Sequence, residues 1–105
     1  MEKATAYQSE QQAEYEAITR QLITLFAAKT ADYGPSAIGG MGEVGIVVRL
    51  WDKMARLLNL LGFDVTKGRI NPGSIPKNES IDDTLMDLAS YAIIMLIYRR
   101  GKWGK

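Results

Sequence analysis

Apolar residues recur at three- and four-residue spacings in three stretches of the chain, and each stretch predicts a helix. The first runs from about Gln8 to Asp32, with Tyr15, Ile18, Leu22, Leu25, Phe26 and Lys29 in register and Glu10, Glu14, Arg20 and Gln21 among the polar positions between them. Gly34-Pro35 should end it, because glycine closes helices and proline cannot continue them. The second runs from about Glu43 or Val44 to Leu61 and stops at Gly62. The third opens at Asn78 or Glu79 and continues to about Arg99; its acidic first turns suit the positive end of the helix dipole, and Arg99 and Arg100 suit the negative end. Glycines at 34, 39, 40, 42 and 45 predict a loop without regular structure between the first two helices. FDVTKGRINPGSIPKN, between the second and third, reads as a short hairpin or an irregular loop. The chain shows no internal repeat and no low-complexity segment.

The expected fold is therefore all-α, with three main helices in a single domain covering residues 1–105. The second and third helices carry more apolar surface than one partner face covers. The second holds Val44, Ile46, Val47, Val48, Leu50 and Trp51 in its first half alone, and the third is apolar nearly all round from Leu88 to Tyr98. Helices of that kind are buried on several sides. In a short chain a second copy most simply supplies the cover, so the expected assembly is a helical bundle completed by homo-oligomerisation, as a dimer or tetramer.

Composition narrows the chemistry. The net charge is +1, so no whole-chain basic field points to a nucleic acid polymer. There is no cysteine and no histidine, which excludes disulfides, thiolate metal sites and imidazole bases; catalysis would run on carboxylates, Lys, Tyr or a metal-bound water. The start of the sequence is polar and acidic, and the longest apolar run is about half the length of a membrane span, so a soluble, cytoplasmic protein is expected.

Two charged stripes stand out against this apolar background. On the third helix Glu79, Asp83 and Asp87 are spaced by four, a step that drifts only about 40° around a helix, so they form one acidic ladder. Like charges at that spacing repel by roughly 0.2–0.5 kcal/mol per pair. On the second helix Arg49, Asp52, Lys53 and Arg56 share a stripe about 100° wide, with one carboxylate among three cations. Each stripe read alone is a solvated face, and facing each other they make an ion-pair network, which gains little net stability because desolvation cancels much of the attraction. A polar cleft in which carboxylates hold Mg²⁺ and cations hold phosphates accounts for both stripes equally well, since Mg²⁺ takes hard oxygen ligands shared with substrate phosphates. The glycine-rich stretch lacks the Lys-Ser/Thr ending of a phosphate-binding P-loop and reads as a simple mobile connection. Lys29, Asp32 and Tyr33 in KTADYG read, by position, as the end of the first helix. The tail RRGKWGK reads as a disordered basic end, with Trp103 as an anchor on a neighbouring subunit the alternative.

Three blocks, KTADYG, GEVGIVVRLWDKMARLLNLL and ESIDDTLMDLASYAII, cover roughly half the chain and resemble the phage and bacterial nucleotide-modification-associated domain 1, which is itself similar to the MazG-like, all-α nucleoside triphosphate pyrophosphohydrolases. The resemblance implies a helical, oligomeric, Mg²⁺-dependent protein that cleaves (deoxy)nucleoside triphosphates between the α- and β-phosphates. It places Asp83 as the late aspartate of the third-helix motif, Glu79 as its acidic companion and candidate catalytic base, and Asp52 where the last glutamate of the second-helix motif falls. The chain departs from that pattern at Val48 and Arg49, which stand where MazG-like enzymes carry clustered glutamates. Metal binding would then rely on fewer acids or borrow Asp87 or Glu43, and the implied metal set is Asp52, Glu79, Asp83 and Asp87. Lys29, Asp32, Tyr33, Arg49, Lys53 and Arg56 match the narrower family's own blocks and are expected around the nucleotide.

Two functions follow as expectations. The preferred one is a Mg²⁺-dependent dNTP pyrophosphohydrolase, releasing a monophosphate and pyrophosphate. The alternative is a non-catalytic nucleotide-binding protein of phage origin, a sensor or sponge that keeps the pocket without the full metal set. A helical scaffold whose stripes are salt bridges alone is the third reading.

Overall fold

The computed structural model describes residues 2–34, 36–71 and 81–105, with the backbone alone at residues 2–8, 37 and 38. Its elements are α1 (Glu2–Tyr33), the single turn α2 (Ser36–Gly39), α3 (Gly42–Leu61), β1 (Phe63–Asp64), β2 (Arg69–Ile70) and α4 (Ile81–Arg99). The fold class is all-α, with three long helices and one minimal hairpin. Among the described residues no helix is long and apolar enough to cross a membrane. The chain divides into two compact units, Met1–Tyr33 and Gly34–Lys105.

The first unit is α1 alone. It begins at Glu2, earlier than the apolar spacing predicts, because its early residues are mostly good helix formers even where they carry no apolar stripe. Pairs one turn apart support it: Gln12 Nε2 donates to Glu16 Oε1 at 3.2 Å, and Arg20 lies 3.6 Å from the same carboxylate. Gly34 ends the helix with φ of 73°, a left-handed conformation that residues with a Cβ rarely adopt.

The second unit is organised by the antiparallel pair α3 and α4. On α3 the inward positions are Ile46, Leu50, Lys53, Leu57 and Leu60; on α4 they are Thr84, Asp87, Tyr91, Ile94 and Tyr98, all buried or half-buried. Both series alternate steps of three and four, the heptad spacing that lets two helices meet along one seam. Ile46 and Thr84 are fully buried (0% exposed). α3 ends at Gly62, whose φ of 67° lets its N–H reach the carbonyls of Asn59 and Leu58. α4 ends likewise: Gly101 (φ 70°) donates to Tyr98 O at 3.0 Å and Lys102 to Ile97 O at 3.1 Å, the paired bonds of a Schellman turn.

Two expectations need correction. The glycine-rich stretch is not devoid of regular structure: Ser36–Gly39 forms a helical turn, and α3 begins at Gly42, just before its expected start, with Gly45 inside it as that start implied. A glycine inside a helix costs about 1 kcal/mol relative to alanine; here the burial of Ile46 against α4 offsets it. The basic tail is not disordered either. The Schellman turn reverses the chain, Lys105 donates to Lys102 O at 3.1 Å, and Trp103 is half-buried. Composition alone misses this because the segment is held by backbone bonds to the end of α4 and by the packing of one indole, neither of which composition reports.

The hairpin that follows α3 pairs Phe63 with Ile70 and Asp64 with Arg69. Its turn is held by Asp64: Oδ1 accepts from the Thr66 hydroxyl (2.6 Å), the Thr66 N–H (2.9 Å) and the Lys67 N–H (3.1 Å). The Thr66 hydroxyl above all, then the Lys67 N–H, hold the Asp64 carboxyl below its usual pKa, against a small opposing effect of desolvation. A lowered folded-state value contributes stability that is complete above the ordinary carboxylate pKa of about 3.9 and is lost as pH falls through the folded value. The turn should therefore hold at neutral pH and loosen only below about pH 4. The Thr66 and Lys67 amide shifts in an NMR titration should show a midpoint under the ordinary value and lose that titration in Asp64→Ala. A midpoint at or above the ordinary value would contradict the assignment.

Candidate functional site

The α3–α4 seam brings the two charged stripes to one another at Lys53 and Asp87. Lys53 Nζ lies 2.9 Å from Asp87 Oδ2, a charge-assisted hydrogen bond between side chains that are 16% and 21% exposed. Lys53 occupies an inward heptad position midway between Ile46 and Leu60, and Asp87 the matching position on α4. A second pair ties the other end of the seam, where Arg99 Nη1 lies 3.3 Å from Glu43 Oε1. It is exposed and of the kind typically worth 0–1 kcal/mol.

The stripe on α3 therefore splits. Lys53 points into the seam, whereas Arg49, Asp52 and Arg56 are exposed on its flanks. The register set by the Lys53–Asp87 and Glu43–Arg99 pairs puts Arg56 level with Thr84 and Asp83, and Arg49 level with Tyr91, away from the acidic turns of α4. On α4 Asp83 is exposed and Asp87 half-buried, so between these two rungs the ladder turns from solvent into the seam. Glu79, the ladder's first rung, lies outside the described residues. Lys29, Asp32 and Tyr33 end α1 in the other unit; Asp32 and Tyr33 are exposed there, with Lys29 half-buried.

Sequence reasoning missed two members of this neighbourhood and read a third, Glu43, only as a carboxylate that a metal could borrow. Thr84 is fully buried beside the ion pair's level, Tyr91 follows Asp87 in the seam, and Glu43 meets Arg99. The signal was present in the spacing 84–87–91–94–98, which marks an inward face containing one carboxylate. No buried side-chain nitrogen or oxygen among the described residues lacks a hydrogen-bond partner. The fully buried polar atoms of the seam are thus satisfied within the protein.

The donor set offers cations more readily than metal ligands. Arg49 and Arg56, seven residues apart and so on the same flank of the seam, present exposed guanidinium groups suited to phosphate oxygens. Among the described residues, however, no group of three or more carboxylates is placed to hold a metal ion. Asp87, the more enclosed of the two described rungs of the ladder, already has its charge matched by Lys53. Those residues do not by themselves fit a Mg²⁺ centre. No family model, no curated protein and no solved structure matches the chain.

Proposed function

We propose that this chain is a nucleoside triphosphate-binding protein of the MazG-like helical kind, acting on (deoxy)nucleotides as a pyrophosphohydrolase in the cytoplasm, the host's if a phage encodes it. The observation that carries the reading is the half-buried Lys53–Asp87 pair, set in an otherwise mostly apolar seam and flanked by exposed Arg49, Asp52, Arg56 and Asp83. Charges so enclosed are rarely retained for stability, since a well-packed apolar pair serves that purpose as well or better. The flanking guanidiniums are suited to the triphosphate, and the carboxylates on α4 to polarising the attacking water. Asp52, Asp83 and Asp87 do not converge as a group, so Mg²⁺ enters this proposal only through Glu79, whose carboxylate would have to complete a set with one or two of them.

A non-catalytic nucleotide binder is the second reading. It is favoured by the same ion pair seen from its other side, because a carboxylate held by lysine is not offering itself to a metal. The experiment that separates the two is incubation with each dNTP and Mg²⁺, with bound nucleotide and released pyrophosphate both measured. Turnover supports the hydrolase. Binding without turnover selects the sensor or sponge, and absence of both defeats the proposal in either form.

The proposal includes assembly with a second copy. Val44, Val47, Val48, Trp51 and Met54 make a continuous apolar stripe on α3, and Trp51 is 74% exposed. Leu85, Ile93 and Leu96 are further exposed apolar residues on α4. The stripe is broader than the scattered apolar residues usual on a monomer's surface, and a two-fold axis lets it cover itself. Sedimentation at micromolar concentration should show a dimer or tetramer. A folded 11.7 kDa monomer would rule the assembly out.

A further inference from the structure

The glycine-rich turn and the C-terminal tail, distant in sequence, meet in the second unit. Trp103 lies directly against Gly39: a Cβ placed on that glycine would overlap the indole Nε1 and Cδ1 atoms. One turn along, a Cβ on Gly42 would approach Tyr98 Oη to 3.1 Å, and Glu43 pairs with Arg99 at 3.3 Å. The last turn of α4 and the tail thus cover the segment from α2 to the start of α3 at three successive points. The glycines at 39 and 42 are what make the approach possible, by leaving out the side chain that would stand in the way.

The attachment beyond α4 is narrow. Gly101, Lys102, Gly104 and Lys105 are all exposed, and Trp103 is the one tail residue that is half-buried. Segments held by few buried contacts open locally at much lower free energy than the core they rest on. The Schellman turn at Gly101 gives such an opening a defined pivot, since it belongs to the helix end and survives when the indole leaves.

We propose that residues 101–105 form a releasable strap over the glycine-rich turn, with Trp103 as its pin. Seated, the indole fixes Gly39 and the entry into α3; released, it frees the tail and the α2 turn together. The two segments share one equilibrium, so a change at either end moves both.

The chain has two tryptophans, Trp51 and Trp103, and Trp51 is exposed, so Trp51→Phe leaves the pin as the sole indole reporter. In that background the emission should be blue-shifted relative to free indole and shielded from acrylamide. Adding Gly39→Ala should move it to the solvent-exposed wavelength while the far-UV circular dichroism of the helices persists. Trypsin cleavage of the otherwise native chain at Arg100 and Lys102 should rise roughly tenfold in Trp103→Ala, because cleavage tracks the population of the open form. This second readout does not depend on the alanine at position 39 being tolerated. An indole already solvent-exposed in Trp51→Phe, or unchanged tail cleavage in Trp103→Ala, would overturn the strap.

Discussion

Lys53→Met lowers the stability of the chain by about 1–3 kcal/mol, the cost of leaving a half-buried charged group without its partner. Asp87→Leu alone has a comparable effect for the same reason, with the lysine now stranded in the seam. The double variant Lys53→Met, Asp87→Leu recovers most of the loss and can exceed the parent, because apolar side chains of similar volume meet without a desolvation penalty. Urea denaturation of the four proteins completes a double-mutant cycle and isolates the coupling between the two positions. Additive single effects would mean that the 2.9 Å pair contributes nothing as a pair. Nucleotide binding measured on the double variant adds the functional half: if the pair serves only the helical seam, affinity survives, and if it serves the ligand, stability is regained while affinity is lost.

The larger effect is expected on turnover. Under the hydrolase reading the attacking water gives its proton to a carboxylate, and Glu79 is the candidate base. A positioned general base contributes typically 10²–10⁴-fold, so Glu79→Gln should reduce pyrophosphate release by about that factor with the helical content unchanged. If Glu79 instead serves the metal alone, the same substitution should raise the Mg²⁺ requirement and most of the rate should return at saturation. Hydrolysis in ¹⁸O-labelled water fixes the position of attack independently. Label in the monophosphate supports attack at the α-phosphorus, whereas label only in pyrophosphate or in free orthophosphate defeats the mechanism.

Much of this architecture could be read from the residue pattern. Gly34 and Gly62 ended the helices where expected because a left-handed closing residue has a recognisable sequence signature. The tertiary partners of isolated features were harder to see. Gly39 and Gly42 read as loop residues until Trp103 and Tyr98 were found against them, and no local rule links positions some sixty residues apart. On a helical wheel Lys53 groups with Arg49, Asp52 and Arg56, since all four fall within one sector. The finer series 46–50–53–57–60 places it instead among apolar residues, and the narrower seam spacing decides between those assignments.

That placement has a consequence for how the two helices find each other. An uninterrupted apolar seam of heptad spacing is nearly indifferent to a slip of seven residues, since every layer meets another of the same kind. In this chain such a slip in one direction would set Lys53 against Ile94 and Asp87 against Leu60, stranding two opposite charges in separate oily layers. The lysine and aspartate thus act as a key cut into the seam. They select one alignment among several of similar packing, and a chain relieved of both would be exposed to frameshifted pairing even as it gained in melting temperature.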